Sequence, residues 1–148
     1  QNFGGYMMFS DGTPEYVCIA GTPVARGTLL PTARAYQVAS HFVRDGEHML
    51  PVTVSSTLPN VRAYASTYSG SYALLLFNLD QNNAVSVPIA ISAKTSGTGG
   101  TVTTYGKTQY DASQQNQWLA PTSSTVGAWN QTLIVTLPPW SVSAVVLN

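Results

Sequence analysis

The sequence predicts a mainly β protein: an antiparallel β-sandwich of about 7–8 strands with one N-terminal α-helix. Three observations carry that reading. From Leu50 onward the apolar residues recur with a period of two, the signature of a half-buried strand. Clusters of Gly, Asn, Asp and Ser punctuate these runs at short intervals. Charged residues make up only 8% of the chain, while 15 Ser and 17 Thr supply polar surface in their place. Thr, Val and Tyr suit a pleated surface, and an exterior rich in neutral hydroxyls is one that extracellular domains carry.

The elements follow in chain order. Residues 1–30 are rich in glycine and aromatic residues, with Tyr6 to Phe9 and Glu15 to Ala20 expected as short strands around the turn Ser10-Asp11-Gly12. Pro31 opens a helix over 31–44, because a first-turn residue needs no N–H. Ala35, Ala39 and Phe42 repeat at helical spacing, and Gly46 is placed to cap the end. This helix has an apolar stripe that either the sandwich or another domain must cover.

Val52 and Val54 open the alternating half of the chain. Residues 61–68 and 72–79 read as strands joined at Ser69-Gly70-Ser71, and Asp80 to Asn83 is a turn. Val85, Val87, Ile89 and Ile91 then alternate with smaller residues, which suggests a three-stranded meander. Pro88 has no ladder donor and puts that strand at an edge or a bulge. Gly97 to Gly100 is expected to be a flexible connection, 101–105 a strand, and 107–131 a polar stretch anchored by Trp118 and Trp129. Strands at 132–137 and 141–147, separated by Pro138-Pro139-Trp140, complete the chain.

Charge and motifs exclude several classes. Six basic and six acidic residues cancel. With no basic stripe to neutralise phosphates, nucleic acid is not an expected partner, and a polybasic membrane patch is missing for the same reason. No apolar run reaches the roughly 20 residues that span a bilayer. Gln1 is not an initiator Met, and the expectation is a processed or excised piece of something longer. The single Cys18 reads as a small buried hydrophobe. His41 and His48 have no second ligand at metal spacing, so no metal and no cofactor are expected.

Six carboxylates are available: Asp11, Glu15, Asp45, Glu47, Asp80 and Asp111. Asp80 and Asp111 sit in turn-like sequence, and Asp45 and Glu47 flank the helix end, where carboxylates serve the backbone or solvent. Asp11 and Glu15 are candidate substrate-binding residues, against the alternative of a turn aspartate and a solvated glutamate. Trp118 and Trp129 are candidates too, because indole faces stack on sugar rings; the alternative is that each is a packing anchor. Trp140 reads as a buried anchor, with the last strand beside it. Asn130-Gln131-Thr132 matches a glycosylation sequon of little diagnostic value. No catalytic residue is assigned.

The order of elements has a family resemblance. It is carried by Ser10-Asp11-Gly12, by a helix ending His41-Phe42-Val43-Arg44-Asp45-Gly46, and by the strand from Ala73 to Asp80. The segment from Tyr105 to Tyr110 and the ending Leu137-Pro138-Pro139-Trp140-Ser141 complete it. Together these resemble the C-terminal region of retaining glycoside hydrolases of the TIM-barrel clan, in the cellulase-like, xylosidase-like and heparanase-like families. The resemblance implies that residues 1–49 are the end of a barrel, its last strand, loop and helix, and that residues 50–148 are an accessory β-sandwich. It also implies a secreted parent enzyme. The two carboxylates of that enzyme, about 5–5.5 Å apart for a retaining site, would lie on polypeptide outside this sequence. The expected partners are then the catalytic barrel of the same protein and a polysaccharide, or a second copy if the piece exists free. Two other readings stay open: a stand-alone carbohydrate-binding module, which needs Trp118 and Trp129 exposed and aligned, and a structural or adhesive sandwich with an open edge strand.

Overall fold

The computed structural model describes residues 8–10, 12 and 23–148 of the chain. The expected strand at Glu15 to Ala20, the first half of that at Tyr6 to Phe9, and Asp11, Glu15 and Cys18 lie outside the described residues. The element order is α1 (Pro31–Ala39), β1 (His48–Leu50), β2 (Val61–Tyr68), β3 (Ser71–Asn78), β4 (Val85–Ile89), β5 (Ser96–Gly97) and β6 (Gly100–Tyr105). There follow α2 (Lys107–Gln114), β7 (Thr122–Val126), β8 (Trp129–Asn130), β9 (Leu133–Leu137) and β10 (Ser141–Leu147).

A six-stranded antiparallel sheet in the order β1-β2-β3-β10-β6-β7 forms the frame. Its period-two pattern sorts side chains onto two faces. Val61, Leu74, Leu76, Val145 and Leu147 point to one face, where they pack with Val87, Ile89, Leu133, Val135 and Leu137 of the β4–β9 pair. That is the sandwich core. Leu76, Leu137, Leu147 and Val145 are almost wholly buried. Each such side chain contributes about 1.5–3 kcal/mol by leaving water.

The other face carries a second, smaller core of Val38, Tyr105, Val142 and Ala144, with Ala35, Leu75 and Phe77 beside it. Here α1 lies across β10 and β6 and turns Val38 into the sheet. The helix stripe is therefore covered by the sandwich itself. Because both its faces are covered, β10 is buried along nearly its whole length, and its residues on both faces are small or apolar, with Ser141 and Ser143 buried among them. Burial also pushes the Tyr105 phenol above its usual range, with the nearby Arg34 charge opposing that shift.

The fold class expected from sequence holds, with corrections inside it. The helix expected over 31–44 ends at Ala39. Its last turn tightens through the Val38–His41 and Ala39–Phe42 backbone bonds, and the Ser40 hydroxyl donates to the Gln37 carbonyl. Phe42 remains buried without being helical. Gly46 is left-handed, at φ 78°, but serves a separate turn in which the Glu47 carboxylate accepts from the Arg44 amide. Val52 and Val54 open no strand; Pro51 follows β1 directly, and 51–60 is irregular.

The three-stranded meander is not formed. β2 and β3 make a hairpin, but β4 crosses to the opposite layer and pairs with β9. In that two-stranded layer Pro88 lies in an edge strand, opposite Ile134. The stretch 107–131 is not merely polar: it holds α2, β7 and β8. α2 escapes hydrophobic periodicity because Gln109 and Ser113 are among its buried residues. Gln109 Oε1 accepts from the Gly106 amide at 3.0 Å and so ties the first turn. Gly97 belongs to β5, where the Trp129 indole lies against it so closely that a Cβ would collide with the ring.

Candidate functional site

Asp45 is solvent-exposed, and Glu47 is occupied with the Arg44 amide. Asp111 pairs with Lys107 at 2.7 Å, one helical turn away. Asp80 caps its turn: Oδ1 accepts from the amides of Asn82 and Asn83, each at 2.9 Å. None of these carboxylates faces another across a cleft. Among the described residues no group of three or more His, Cys, Asp and Glu side chains is placed to hold a metal ion, and His41 and His48 are both exposed. The candidates Asp11 and Glu15 lie outside the described residues.

The bonds to the Asn82 and Asn83 amides hold the Asp80 carboxyl below the usual carboxylate value of 3.8. A carboxylate whose folded pKa is depressed adds stability above its unfolded value, and that stability is lost as pH falls through the folded value. The urea midpoint of the chain should therefore fall as pH drops below about 4. Asp80→Asn should flatten that acid limb by lowering stability near neutral pH toward the level the wild-type chain reaches in acid, because the neutral amide cannot supply the charge. Parallel acid limbs in the two proteins would show that the Asp80 turn is not the titrating element.

The tryptophans part company. Trp129 is only 7% exposed and belongs to the sandwich core, so its indole offers no face to a ligand. Trp118 is partly buried, and its Nε1 donates to Asn116 Oδ1 at 2.8 Å. The two are not an aligned exposed pair. Trp140, expected to be a buried anchor, is instead 43% exposed. It meets the Tyr110 ring edge-on at a centroid distance of 5.0 Å.

Two further surfaces stand out. The first is the outer face of the six-stranded sheet beyond α1, on β2. Tyr64 is 50% exposed there and stands edge-on to Phe77 at 6.2 Å, with Tyr68 exposed further along the strand. The second is an open groove of about 410 Å³ between β7 and β9, lined by Val126, Ile134 and the hydroxyls of Ser124, Thr125 and Thr136. Among the described residues none that lines the groove is titratable, and its polar side chains are hydroxyls.

No family model and no curated protein matches the sequence. Solved structures do match the fold. A GH30 endoxylanase from Clostridium papyrosolvens C71 superposes with a TM-score of 0.64 over 82% of this chain, at 18% identity. Its fold is shared with part of a glycoside hydrolase. A glycoside hydrolase family 30 subfamily 8 xylanase from Clostridium acetobutylicum gives 0.62 over 82%, at 19% identity. The chain spans 28% and 29% of the lengths of these two glycoside hydrolases. At such identities the likeness establishes the fold, and it agrees with the resemblance carried by the sequence.

Proposed function

We propose that this chain is the accessory β-sandwich of a larger secreted glycoside hydrolase, in which it braces a separate catalytic barrel. The observation that carries the reading is the disproportion in the fold match. Four-fifths of this chain superposes on little more than a quarter of an endoxylanase chain. Two features of the chain support it. Its described carboxylates are spent on turns, a helix ion pair or solvent, which fits a chain whose catalytic groups come from another domain. The exposed Tyr64 and Tyr68 on β2 give an apolar face suited to contact with another domain. Residues 1–49 would then belong to the end of that barrel. Secretion is supported by the low charge and the hydroxyl-rich composition.

The test compares the 148-residue chain with the native polypeptide that contains it, using reducing-sugar release from xylan and other neutral glycans. The native polypeptide should be larger by a barrel of about 250 residues and should hydrolyse glycan, while the chain alone releases none. Glycan turnover by the chain alone, or a native polypeptide with no second domain, would sink the reading.

A further inference from the structure

We propose that Trp140 and Tyr110 form a ledge on which this chain binds a sugar ring of a neutral polysaccharide. The choice of ligand class rests on the proposed role in glycan processing; the ledge rests on geometry. Trp140 sits between β9 and β10, where Leu137 and Ser141 on either side are buried. Its backbone is left-handed, at φ 44°, a conformation that a bulky side chain disfavours and that Gly or Asn adopts at less cost. The conformation is locked from several directions. The Trp140 amide donates to the Asp80 carbonyl at 2.7 Å, and the Ser141 hydroxyl donates to the Pro138 carbonyl at 2.8 Å. The Lys107 amide donates to the Pro139 carbonyl at 3.1 Å, which fixes the start of α2 against the same turn. The strained backbone therefore directs a large indole toward water instead of the core.

Tyr110 reaches this indole from α2, with the two ring planes at 64°. The exposed Trp140 indole is thus steadied by a partly buried Tyr110 that packs on the second core, at low entropic cost to a ligand. The apolar C–H face of a pyranose matches such a surface. Ring hydroxyls would find hydrogen-bond partners in the adjoining Asp80–Asn83 turn and the Lys107–Asp111 pair. The chain's net charge of zero gives no general attraction for a polyanion.

Affinity electrophoresis of the 148-residue chain tests this, in gels containing soluble xylan, xyloglucan, hydroxyethylcellulose or the anionic polygalacturonate. At least one neutral polysaccharide should retard the wild-type chain. Trp140→Ala should weaken that binding about tenfold, the effect of losing one aromatic anchor. Trp140→Phe should retain most of the retardation, and Trp118→Ala should migrate as wild type. Thermal melts of each variant separate lost binding from lost folding, and Trp140→Phe keeps the test valid if Trp140→Ala melts low. Three results would each overturn the ledge: no retardation by any neutral polymer, retardation by polygalacturonate alone, or Trp140→Ala bound as tightly as wild type. None of these touches the accessory-domain reading, which depends on the longer polypeptide.

Discussion

Replacing Asn78 with Ala should destabilise this chain more than removal of any surface charge, by about 3–4 kcal/mol. Asn78 is 1% exposed at the end of β3. Its Nδ2 donates to the Asn83 carbonyl at 2.8 Å and to the Pro138 carbonyl at 2.9 Å, and its Oδ1 accepts from the Asp80 amide at 3.0 Å. One side chain thus ties the connection leaving β3 to the connection between β9 and β10. In Asn78→Ala those backbone groups lose their partner, and a small cavity replaces the amide. The melting midpoint should fall by roughly 10 °C.

Asn78→Asp is the sharper variant, because it sets a carboxylate oxygen where an N–H₂ donor faced carbonyls. Burial and those carbonyls favour the protonated acid, so its folded pKa should lie above the ordinary value. The damage should be greatest above that raised pKa and ease as pH falls through it, whereas Asn78→Ala should show no such dependence. Urea melts of the two variants at several pH values measure both effects. A cost below about 1 kcal/mol for either variant at neutral pH would mean that the network does not hold the two connections together.

The second large effect concerns Gly100, where β6 begins against β10. A Cβ at this position would overlap the Val146 carbonyl oxygen and crowd Leu147. The obstacle is backbone in a paired strand, which cannot swing aside as a side chain would. Gly100 faces Leu147 on β10 and Val126 on β7, so any shift disturbs two ladders. Gly100→Ala should cost about 3 kcal/mol, and Gly100→Val should leave little folded protein. Gly127→Ala is the control: nothing lies within 4 Å of a Cβ there, and the change should stay within about 0.5 kcal/mol. Equal melting midpoints for the Gly100→Ala and Gly127→Ala chains would refute the argument from close approach.

The candidate site was less legible in the sequence than the fold. The reading of Trp118 and Trp129 as sugar-stacking candidates or packing anchors, and of Trp140 as a core residue, came from their neighbours: polar loops around the first two, an apolar strand after the third. Burial follows another variable. Trp129 is drawn inward because Gly97, some thirty residues earlier, leaves room for an indole. Trp140 is turned outward by the left-handed backbone after two prolines. Neither cause is visible in a local hydrophobic pattern. The same holds for α2, whose buried positions include Gln109 and Ser113 rather than an apolar stripe.

By itself the sequence determined the local elements. Alternation and turn residues marked the strands at 61–68, near 71–78 and at 141–147, and Pro31 marked the start of the helix. These rest on side-chain periodicity and turn chemistry, which act within a few residues. Only the tertiary structure decided that β4 leaves its hairpin neighbours for β9, that α1 and the sandwich core sandwich β10 from both faces, and that the exposed indole is Trp140. Those outcomes depend on ladder pairing and close packing between residues far apart in the chain. A period of two says which side chains share a face, but not which strand or helix will come to cover it.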